Sequence, residues 1–306
     1  MAFTAKDVQA LRERTGVGMM DCKKALAASE GDMEKAVDFL REKGLAAAAK
    51  KSSRIAAEGL VYAFTDDVKK VGVVVEVNSE TDFVAKNVDF QEFVKAIAEL
   101  IADKNPADVA ALLALNFNGN LTVADALRDK ILVIGENLSI RRFVRYEGDV
   151  VAYVHGGGRI GVLVRFDADA SASGTEVMQE TGKDVAMQIA ALNPTYLDKE
   201  FVPAEDIEHE KEVLIAQIKN DPKNANKPEQ IVQKMVDGRI GKFFENNCLM
   251  QQAFVKNGDV TVEEYVAGQA KEVGAMKVAE FVRFEKGEGL QKREDDFAAE
   301  VASMMK

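Results

Sequence analysis

Residues 1–54 carry apolar side chains at helical spacing and predict three short helices. The second is predicted from Met20 to Glu30, and the third over Asp32–Lys43 with a stop at Gly44, because glycine commonly ends a helix. The Ala-rich, basic stretch 45–54 then predicts a partly helical linker.

The hydrophobic period changes from helical to alternating at Glu58. Residues 60–64 and 71–77 are separated by a polar turn around Asp66 and predict a β-hairpin. The segments that follow are predicted as helices over 88–102, 109–115 and 122–134, and as a strand over 139–146.

An internal repeat appears when the chain is shifted by 89 residues. Glu58–Phe64 then aligns with Glu147–Tyr153, and Val71–Val75 aligns with Ile160–Val164 without a gap. A helical pattern follows each hairpin. Chance similarity between hairpins is the alternative, but the gapless match favours duplication. The predicted fold class is α+β, with two related halves that are each an antiparallel meander covered by helices on one face.

Four of the five prolines bracket a pair of polar helices. These are predicted over Glu205–Lys219 and Glu229–Phe244, joined by a polar turn into an antiparallel hairpin that projects from the core. The residues predicted to face inward are Ile207, Leu214 and Ile218 on the first arm, and Ile231, Met235 and Phe243 on the second.

The end of the chain repeats an earlier pattern. Residues 280–285 resemble 142–147, so both are predicted as strands of the same architecture, and an amphipathic helix with Phe297, Val301 and Met304 follows. The predicted domains are a helical N-terminal module (1–54), the first core half (55–146), the second core half (147–203 and 248–285), the inserted helical hairpin (204–247) and a C-terminal helical module (286–306).

Composition and charge narrow the function. Lys and Arg number 40 against 51 Asp and Glu, which gives a net charge of −11, and this argues against direct nucleic-acid binding. The two cysteines, Cys22 and Cys248, are too few for a disulfide framework and fit a reducing compartment. Neither a signal peptide nor an apolar run of membrane-spanning length is present, so we expect a cytoplasmic protein without a membrane contact.

Catalytic chemistry is sparse in this sequence. With only His155 and His209, a histidine triad or metal site lacks partners. Residues 156–161 formally match G-x-G-x-x-G, but the repeat predicts that these glycines form a hairpin turn rather than a strand-to-helix phosphate loop. We therefore expect no catalytic residue, no metal and no cofactor. A small-molecule enzyme with a site near His155 and the triple glycine is the rival hypothesis.

Two short segments place large apolar residues where a turn would expose them. They are Thr15-Gly16-Val17-Gly18-Met19-Met20-Asp21-Cys22-Lys23-Lys24-Ala25-Leu26 and Glu76-Val77-Asn78-Ser79-Glu80-Thr81-Asp82-Phe83-Val84-Ala85. In the second, a strand is predicted to end at Val77 and residues 78–81 to form a loop. On spacing alone, a helix cap at Thr81 or Asp82 with Phe83 packed into the core is the favoured alternative.

Both segments resemble the signature motifs of the bacterial elongation factor Ts family. The resemblance covers the whole chain, from the helical N-terminal module through the duplicated core and the hairpin to Phe281-Val282-Arg283-Phe284-Glu285-Lys286-Gly287-Glu288-Gly289. It implies a guanine nucleotide exchange factor that binds the GTPase elongation factor Tu, displaces Mg²⁺ and GDP and promotes reloading with GTP. A ubiquitin-like recognition protein built on the N-terminal module is a weaker alternative.

The resemblance also implies which residues contact the partner. The N-terminal module resembles a ubiquitin-associated three-helix domain, and Asp82 and Phe83 match a pair that wedges between helices of the GTPase. Segment 204–247 resembles one linked to self-association, as a homodimer or 2:2 complex, or to a secondary partner contact. The full set of implied contact residues is Arg12, Met19, Met20, Lys23, Asp82, Phe83, His155 and Val255.

Overall fold

The structure is a computed structural model, and it describes residues 3–119, 121–224 and 227–291. The C-terminal helix predicted around Phe297, Val301 and Met304 lies outside the described residues. Within the described ranges, no helix combines the length and the apolar character needed to cross a membrane.

The described residues form eleven α-helices, ten β-strands and two short 3-10 helices. The helices are α1 (Ala5–Thr15), α2 (Met19–Ala28), α3 (Met33–Lys51), α4 (Asp82–Ala85), α5 (Val88–Lys104), α6 (Val109–Ala114), α7 (Val123–Ile134), α8 (Glu176–Leu192), α9 (Ala204–Asn220), α10 (Glu229–Asn247) and α11 (Val262–Val273). The strands are β1 (Glu58–Asp66), β2 (Val71–Ser79), β3 (Asn116–Asn118), β4 (Leu121–Thr122), β5 (Ser139–Glu147), β6 (Asp149–His155), β7 (Ile160–Ala168), β8 (Ala253–Phe254), β9 (Asn257–Thr261) and β10 (Met276–Glu285).

The N-terminal helices begin where their caps predict, but the third ends later than expected. Thr4 and Asp7 form a capping box on α1, and Asp32 caps α3. The predicted stop at Gly44 is wrong, because α3 continues to Lys51 and the expected linker is mostly helical. Gly44 is buried against the side chain of Arg128 on α7, and this packing outweighs the helix penalty of a glycine, about 1 kcal/mol.

Two three-stranded antiparallel sheets repeat one topology, and this confirms the predicted duplication. The first has the order β1-β2-β5 and the second β6-β7-β10, with the second strand of each half at the centre. The repeat extends further. A two-stranded hairpin, a twelve-residue helix with a capping box and the third strand follow each other in both halves, as β3-β4, α7 and β5 and as β8-β9, α11 and β10.

Each sheet packs on helices with one face and on the other sheet with its second face. Two equivalent glycines allow the sheets to approach. A Cβ on Gly72 would lie 2.3 Å from Cγ1 of Val150, and a Cβ on Gly161 would lie 2.5 Å from Cγ1 of Val61. Because the shift of 89 residues relates both members of these contacts, the two halves pack in a mutually equivalent way.

Strand β2 extends beyond the point that the sequence predicts. We expected it to end at Val77 with a loop over 78–81, but Asn78 and Ser79 belong to the strand and are completely buried. The Asn78 amide donates to the carbonyl of Glu58 at 3.0 Å, and this contact supports a polar residue inside the sheet. The loop therefore begins at Glu80.

The helices α9 and α10 pack against each other along a small apolar seam. Its buried members are Leu214, Ile218, Val232, Val236 and Ile240. The inward stripe predicted for the second arm is wrong at Ile231, which is 46% exposed while Val232 is buried, but Met235 does pack against the seam. Residues 231 and 235 and residues 232 and 236 have the same helical spacing, so only the packing against α9 selects the face.

Candidate protein-interaction site

The turn between α1 and α2 directs two methionines to the surface. Val17 and Cys22 are buried, and the Cys22 thiol donates to the Val17 carbonyl at 3.4 Å, so this turn is anchored from inside. Gly16 has a positive φ of 69°, which ends α1. Met19 and Met20 are therefore left 44% and 64% exposed in the first turn of α2.

The two methionines line a cleft of about 340 Å³ between α1 and α2. Lys23 lies at the same cleft, and its other walls include Phe3 and Val8. Arg12 is exposed on α1 but is not part of this lining. The arrangement offers a flexible apolar surface with a cation beside it, which suits a protein partner better than a small polar ligand.

Phe83 is exposed on a four-residue helix, α4, directly after the loop that follows β2. Its side chain is 76% exposed, while its neighbour Val84 is buried and anchors the helix. The alternative in which Phe83 packs into the core is therefore wrong. Lys86 lies with its Nζ 5.7 Å from the centre of the ring and 2.8 Å from Asp82. The hydrogen bond from Lys86 lowers the pKa of Asp82.

The carboxylate of Glu136, which is distant in sequence, holds the loop before Phe83 by hydrogen bonds. Oε2 of Glu136 accepts hydrogen bonds from the backbone amides of Glu80 at 3.1 Å and Thr81 at 2.9 Å. Its Oε1 accepts from the Thr81 hydroxyl at 2.7 Å. In return, the Glu80 carboxylate accepts from the backbone amide of Asn137 at 2.6 Å. The loops 80–81 and 136–137 are thus tied together in both directions.

Helix α7 joins the two segments that the sequence singles out. Phe83 lines a cleft of about 330 Å³ together with Lys130 and Val133 of α7. Val133 also faces the N-terminal module, since a Cβ on Gly16 would lie 3.8 Å from its Cγ2. Val133 is itself 40% exposed, so it lies between the motif with Met19 and Met20 and the motif with Phe83.

The two partner-contact residues predicted in the second core half, His155 and Val255, bond to different neighbours. His155 is exposed at the end of β6, with Nδ1 2.9 Å from the Tyr153 hydroxyl. Val255 is 49% exposed in the turn between β8 and β9, and its backbone amide donates to the buried side chain of Gln188 at 2.8 Å. Beside it, Lys256 pairs with Asp184 at 2.6 Å.

The triple glycine serves the fold. Residues 156–159 form the turn between β6 and β7, as the repeat predicts, and Gly156, Gly157 and Gly158 all have positive φ. A Cβ on Gly158 would lie 2.0 Å from Leu60, so this glycine also lets the turn approach β1. A strand rather than a helix follows the turn, which removes the geometry of a dinucleotide loop.

Among the described residues, no group of three or more His, Cys, Asp or Glu side chains could hold a metal ion. Both cysteines are free and buried, and burial raises the pKa of the Cys248 thiol to about 11. A thiol with this pKa is a poor nucleophile at neutral pH.

Sequence reasoning missed Glu136 and Val133. The segment Gly135-Glu136-Asn137 after an amphipathic helix indicates only a helix end, and Gly135 indeed ends α7 with a φ of 85°. Nothing in that pattern reveals a contact with residues 80 and 81, which lie more than fifty positions earlier in the chain.

Comparison with known proteins identifies the family. The sequence model of Elongation factor TS matches residues 80–288. Proteins named Elongation factor Ts from Clostridium perfringens (strain SM101 / Type A) and Clostridioides difficile (strain 630) are 51% and 52% identical to this chain over 306 and 307 residues. Each alignment covers 99% of both chains. One from Clostridium botulinum (strain Eklund 17B / Type B) is 50% identical with the same coverage. The chain therefore belongs to the elongation factor Ts family.

Proposed function

We propose that this protein is a guanine nucleotide exchange factor of translation elongation. It binds the GTPase elongation factor Tu, displaces Mg²⁺ and GDP, and so allows reloading with GTP. Family membership supports the role, and the exposed ring of Phe83 on a held loop is the observation that carries the mechanism. No covalent bond is made or broken, so the protein acts as a binding factor rather than as a catalytic enzyme. We expect it to act in the cytoplasm, where elongation occurs.

The mechanism follows from linked binding. A factor that prefers the nucleotide-free GTPase must weaken nucleotide binding by the same factor, because coupling between two ligands is reciprocal. A ten-thousandfold weakening requires about 5.5 kcal/mol of differential binding. Burial of one phenyl ring supplies about 1.5–3 kcal/mol. Phe83 alone is therefore insufficient, and a wide contact surface with several anchors is required.

The described residues offer such anchors on two separate parts of the molecule. The N-terminal module contributes the exposed Met19 and Met20 with Lys23 and Arg12, and we propose that it contacts the GTPase domain. The second core half contributes His155 and Val255, which we propose contact another domain of the partner.

The helical hairpin is assigned a separate role. We propose that residues 204–247 mediate either self-association or a secondary partner contact. The 46% exposed side chain of Ile231, on the outer face of α10, supports a surface that is available for such a contact. The mass of the protein alone and with the GTPase, measured by light scattering, distinguishes a 1:1 from a 2:2 complex.

The decisive experiment removes the ring. Phe83→Ala should slow the stimulated release of a fluorescent GDP derivative from the GTPase by about 10- to 100-fold, since a burial energy of about 1.5–3 kcal/mol is lost. Because the ring is 76% exposed in the free protein, the thermal unfolding midpoint should not change. Stopped-flow fluorescence measures the release rate.

A matched control is available in Phe201, whose side chain is 65% exposed in the short 3-10 helix after α8. Phe201→Ala removes a phenyl ring of similar exposure outside the proposed contact residues, and it should leave the release rate unchanged. Full acceleration of GDP release by Phe83→Ala would refute the role of the ring.

A further inference from the structure

Glu136 makes three hydrogen bonds to the segment before Phe83. Both of its oxygens are used, with three donors at 2.7–3.1 Å on two consecutive residues, Glu80 and Thr81. Hydrogen bonds to a charged carboxylate are shorter and stronger than those between neutral groups. Three of them on one loop fix both its distance and its orientation relative to the end of α7.

The same loop is held from its other side as well. The Glu80 carboxylate accepts from Asn137, and the Asn137 side chain in turn donates to the carbonyl of Arg54 at 2.9 Å. A guanidinium nitrogen of Arg54 also lies 3.4 Å from a carboxylate oxygen of Glu80. Three chain segments that are distant in sequence therefore meet directly before the exposed ring.

The second core half provides an internal comparison. There the equivalent contact is a single backbone hydrogen bond, from the amide of Asp169 to the carbonyl of Ala275 at 2.8 Å. Counted back from the N-caps Asn87 and Thr175 of the long helices, the buried Ala172 matches the buried Val84, and the residue before it is the exposed Ser171 instead of Phe83. The simpler contact therefore occurs where no ring is presented, whereas the exposed ring of Phe83 receives little positioning from packing.

The connection that carries Glu136 is also longer than its equivalent. Two residues separate Gly135 from the buried Leu138, but only Ala275 separates Gly274 from the buried Met276. The additional residue gives the first half a side chain that reaches the loop. A four-residue helix such as α4 is too short to be stable alone, so its position depends on contacts of this kind.

We propose that Glu136 is a positioning residue, which holds the loop before Phe83 so that the ring is presented in its binding geometry before the partner arrives. This inference rests on the proposed function, because it assumes that the ring contacts the GTPase. Preorganisation lowers the entropy lost on binding, so the benefit appears in partner-dependent exchange.

The first test uses the protein alone. The chain contains no tryptophan, so Phe83→Trp introduces a single fluorescent probe at the position in question. In this background Glu136→Ala should at least double the amplitude of the fast local motion in time-resolved fluorescence anisotropy. Glu136→Gln retains one acceptor oxygen and should give an intermediate amplitude.

A matched control removes another carboxylate that caps backbone amides in the same core half. Asp108 accepts from the amide of Ala111 at 2.7 Å at the start of α6. Asp108→Ala should leave the probe's anisotropy decay unchanged. If Glu136→Ala gives the same decay as this control, the positioning role is overturned, whatever its effect on exchange.

The second test asks whether Glu136 acts through Phe83. Glu136→Ala should slow stimulated GDP release about tenfold, which corresponds to about 1.4 kcal/mol. In a Phe83→Ala background it should slow release less than about twofold further, because two residues that act as one unit are not additive. Equal slowing in both backgrounds would mean that Glu136 acts elsewhere and would overturn the proposal.

The two tests separate this inference from the proposed function. If Glu136→Ala increases the motion of the probe while Phe83→Ala still accelerates GDP release fully, the positioning role stands and the proposed role of the ring fails. If the motion does not change while Phe83→Ala abolishes acceleration, the ring's role stands and the positioning role fails.

Discussion

The two core halves share one topology but differ at the segment that follows their central strand. Counted back from the helix N-caps Asn87 and Thr175, the buried Val84 of the first half matches the buried Ala172 of the second. The residue before this anchor is Phe83 in the first half and Ser171 in the second, and both are exposed. Both segments then lead into a long helix, α5 or α8, that ends in an asparagine with positive φ. The scaffold is thus duplicated and the segment that bears the candidate site is not.

The difference shows how a duplicated fold can acquire an interaction site. The equivalent glycines Gly72 and Gly161 allow the two sheets to approach closely at matching positions, so the arrangement of the halves depends on features that both retain. The loops after the central strands contribute less to that arrangement and are free to diverge. Both segments bury one aliphatic anchor, and only the first adds an exposed ring that a partner can contact.

A second difference lies within the sheets. Glu76 on β2 pairs with Arg142 on β5, while at the matching register Arg165 on β7 pairs with Glu280 on β10. The acidic and basic partners of this ion pair have therefore exchanged strands between the two halves. It has also changed its surroundings, because Glu76 is completely buried, whereas the Glu280 side chain is 43% exposed.

The largest predicted effect comes from this pair. Glu76→Gln removes the charge that faces Arg141 and Arg142 in the protein interior, and we expect a loss of about 3–5 kcal/mol in the free energy of unfolding. Glu280→Gln breaks the exposed counterpart and should cost less than about 1 kcal/mol. Urea unfolding of both variants measures the contrast. Equal losses would show that the two pairs are equivalent despite their different burial.

The next effect compares the stability of variants at the buried Ala172 and at the exposed Phe83. Ala172→Phe forces a phenyl ring into a completely buried site, and we expect a loss of about 3 kcal/mol in stability, because an overpacked core must distort. Phe83→Ala should change the free energy of unfolding by less than about 0.5 kcal/mol, since the ring is largely in solvent. Differential scanning fluorimetry compares them. A tolerated phenylalanine at position 172 would mean that this buried position can open to accept a ring.

Much of the fold could be predicted from the sequence, because its local signals agree with its packing. The valines of β2 and β7 and the capping boxes at Thr4 and Thr122 specify strands and helix starts within their own neighbourhoods. The end of α3 could not be predicted, because the contact of Gly44 with Arg128 on α7 overrides the local signal for a stop.

The candidate site, too, could be predicted from the sequence only in part. A motif can indicate Phe83, but the spacing of 82–84 alone favours a buried ring. The exposure of the ring follows from the burial of Val84 and the contacts of Glu136. Those contacts join residues 55 and 56 positions apart. Long-range contacts of single side chains leave no periodic signal that a sequence can reveal.

The smallest predicted effect is a dependence on acid that arises from the buried Glu76 of the first half. Burial acts to raise the pKa of Glu76, but hydrogen bonds from the Gly287 amide, Asn78 and Arg142 outweigh it, so this pKa lies below the ordinary value. The stabilisation is therefore complete above about pH 4.5 and is lost as the pH falls through the lower, native pKa. Glu76→Gln, less stable throughout, should show a flatter fall of the unfolding midpoint in this range.

Asp129 on α7 should change the stability with pH in the direction opposite to that of Glu76. Burial raises its pKa, and Arg128 and Arg41 offset only part of that rise. The native state therefore gains stability from Asp129 as the pH falls through its raised pKa towards about 3.9, and Asp129→Asn should lose stability with acid more steeply than the wild type. Unfolding midpoints measured from pH 7 down to about pH 2 cover both slopes. If the two variants changed the slope in the same direction, the burial and hydrogen bonding of these carboxylates would not be what sets their titration.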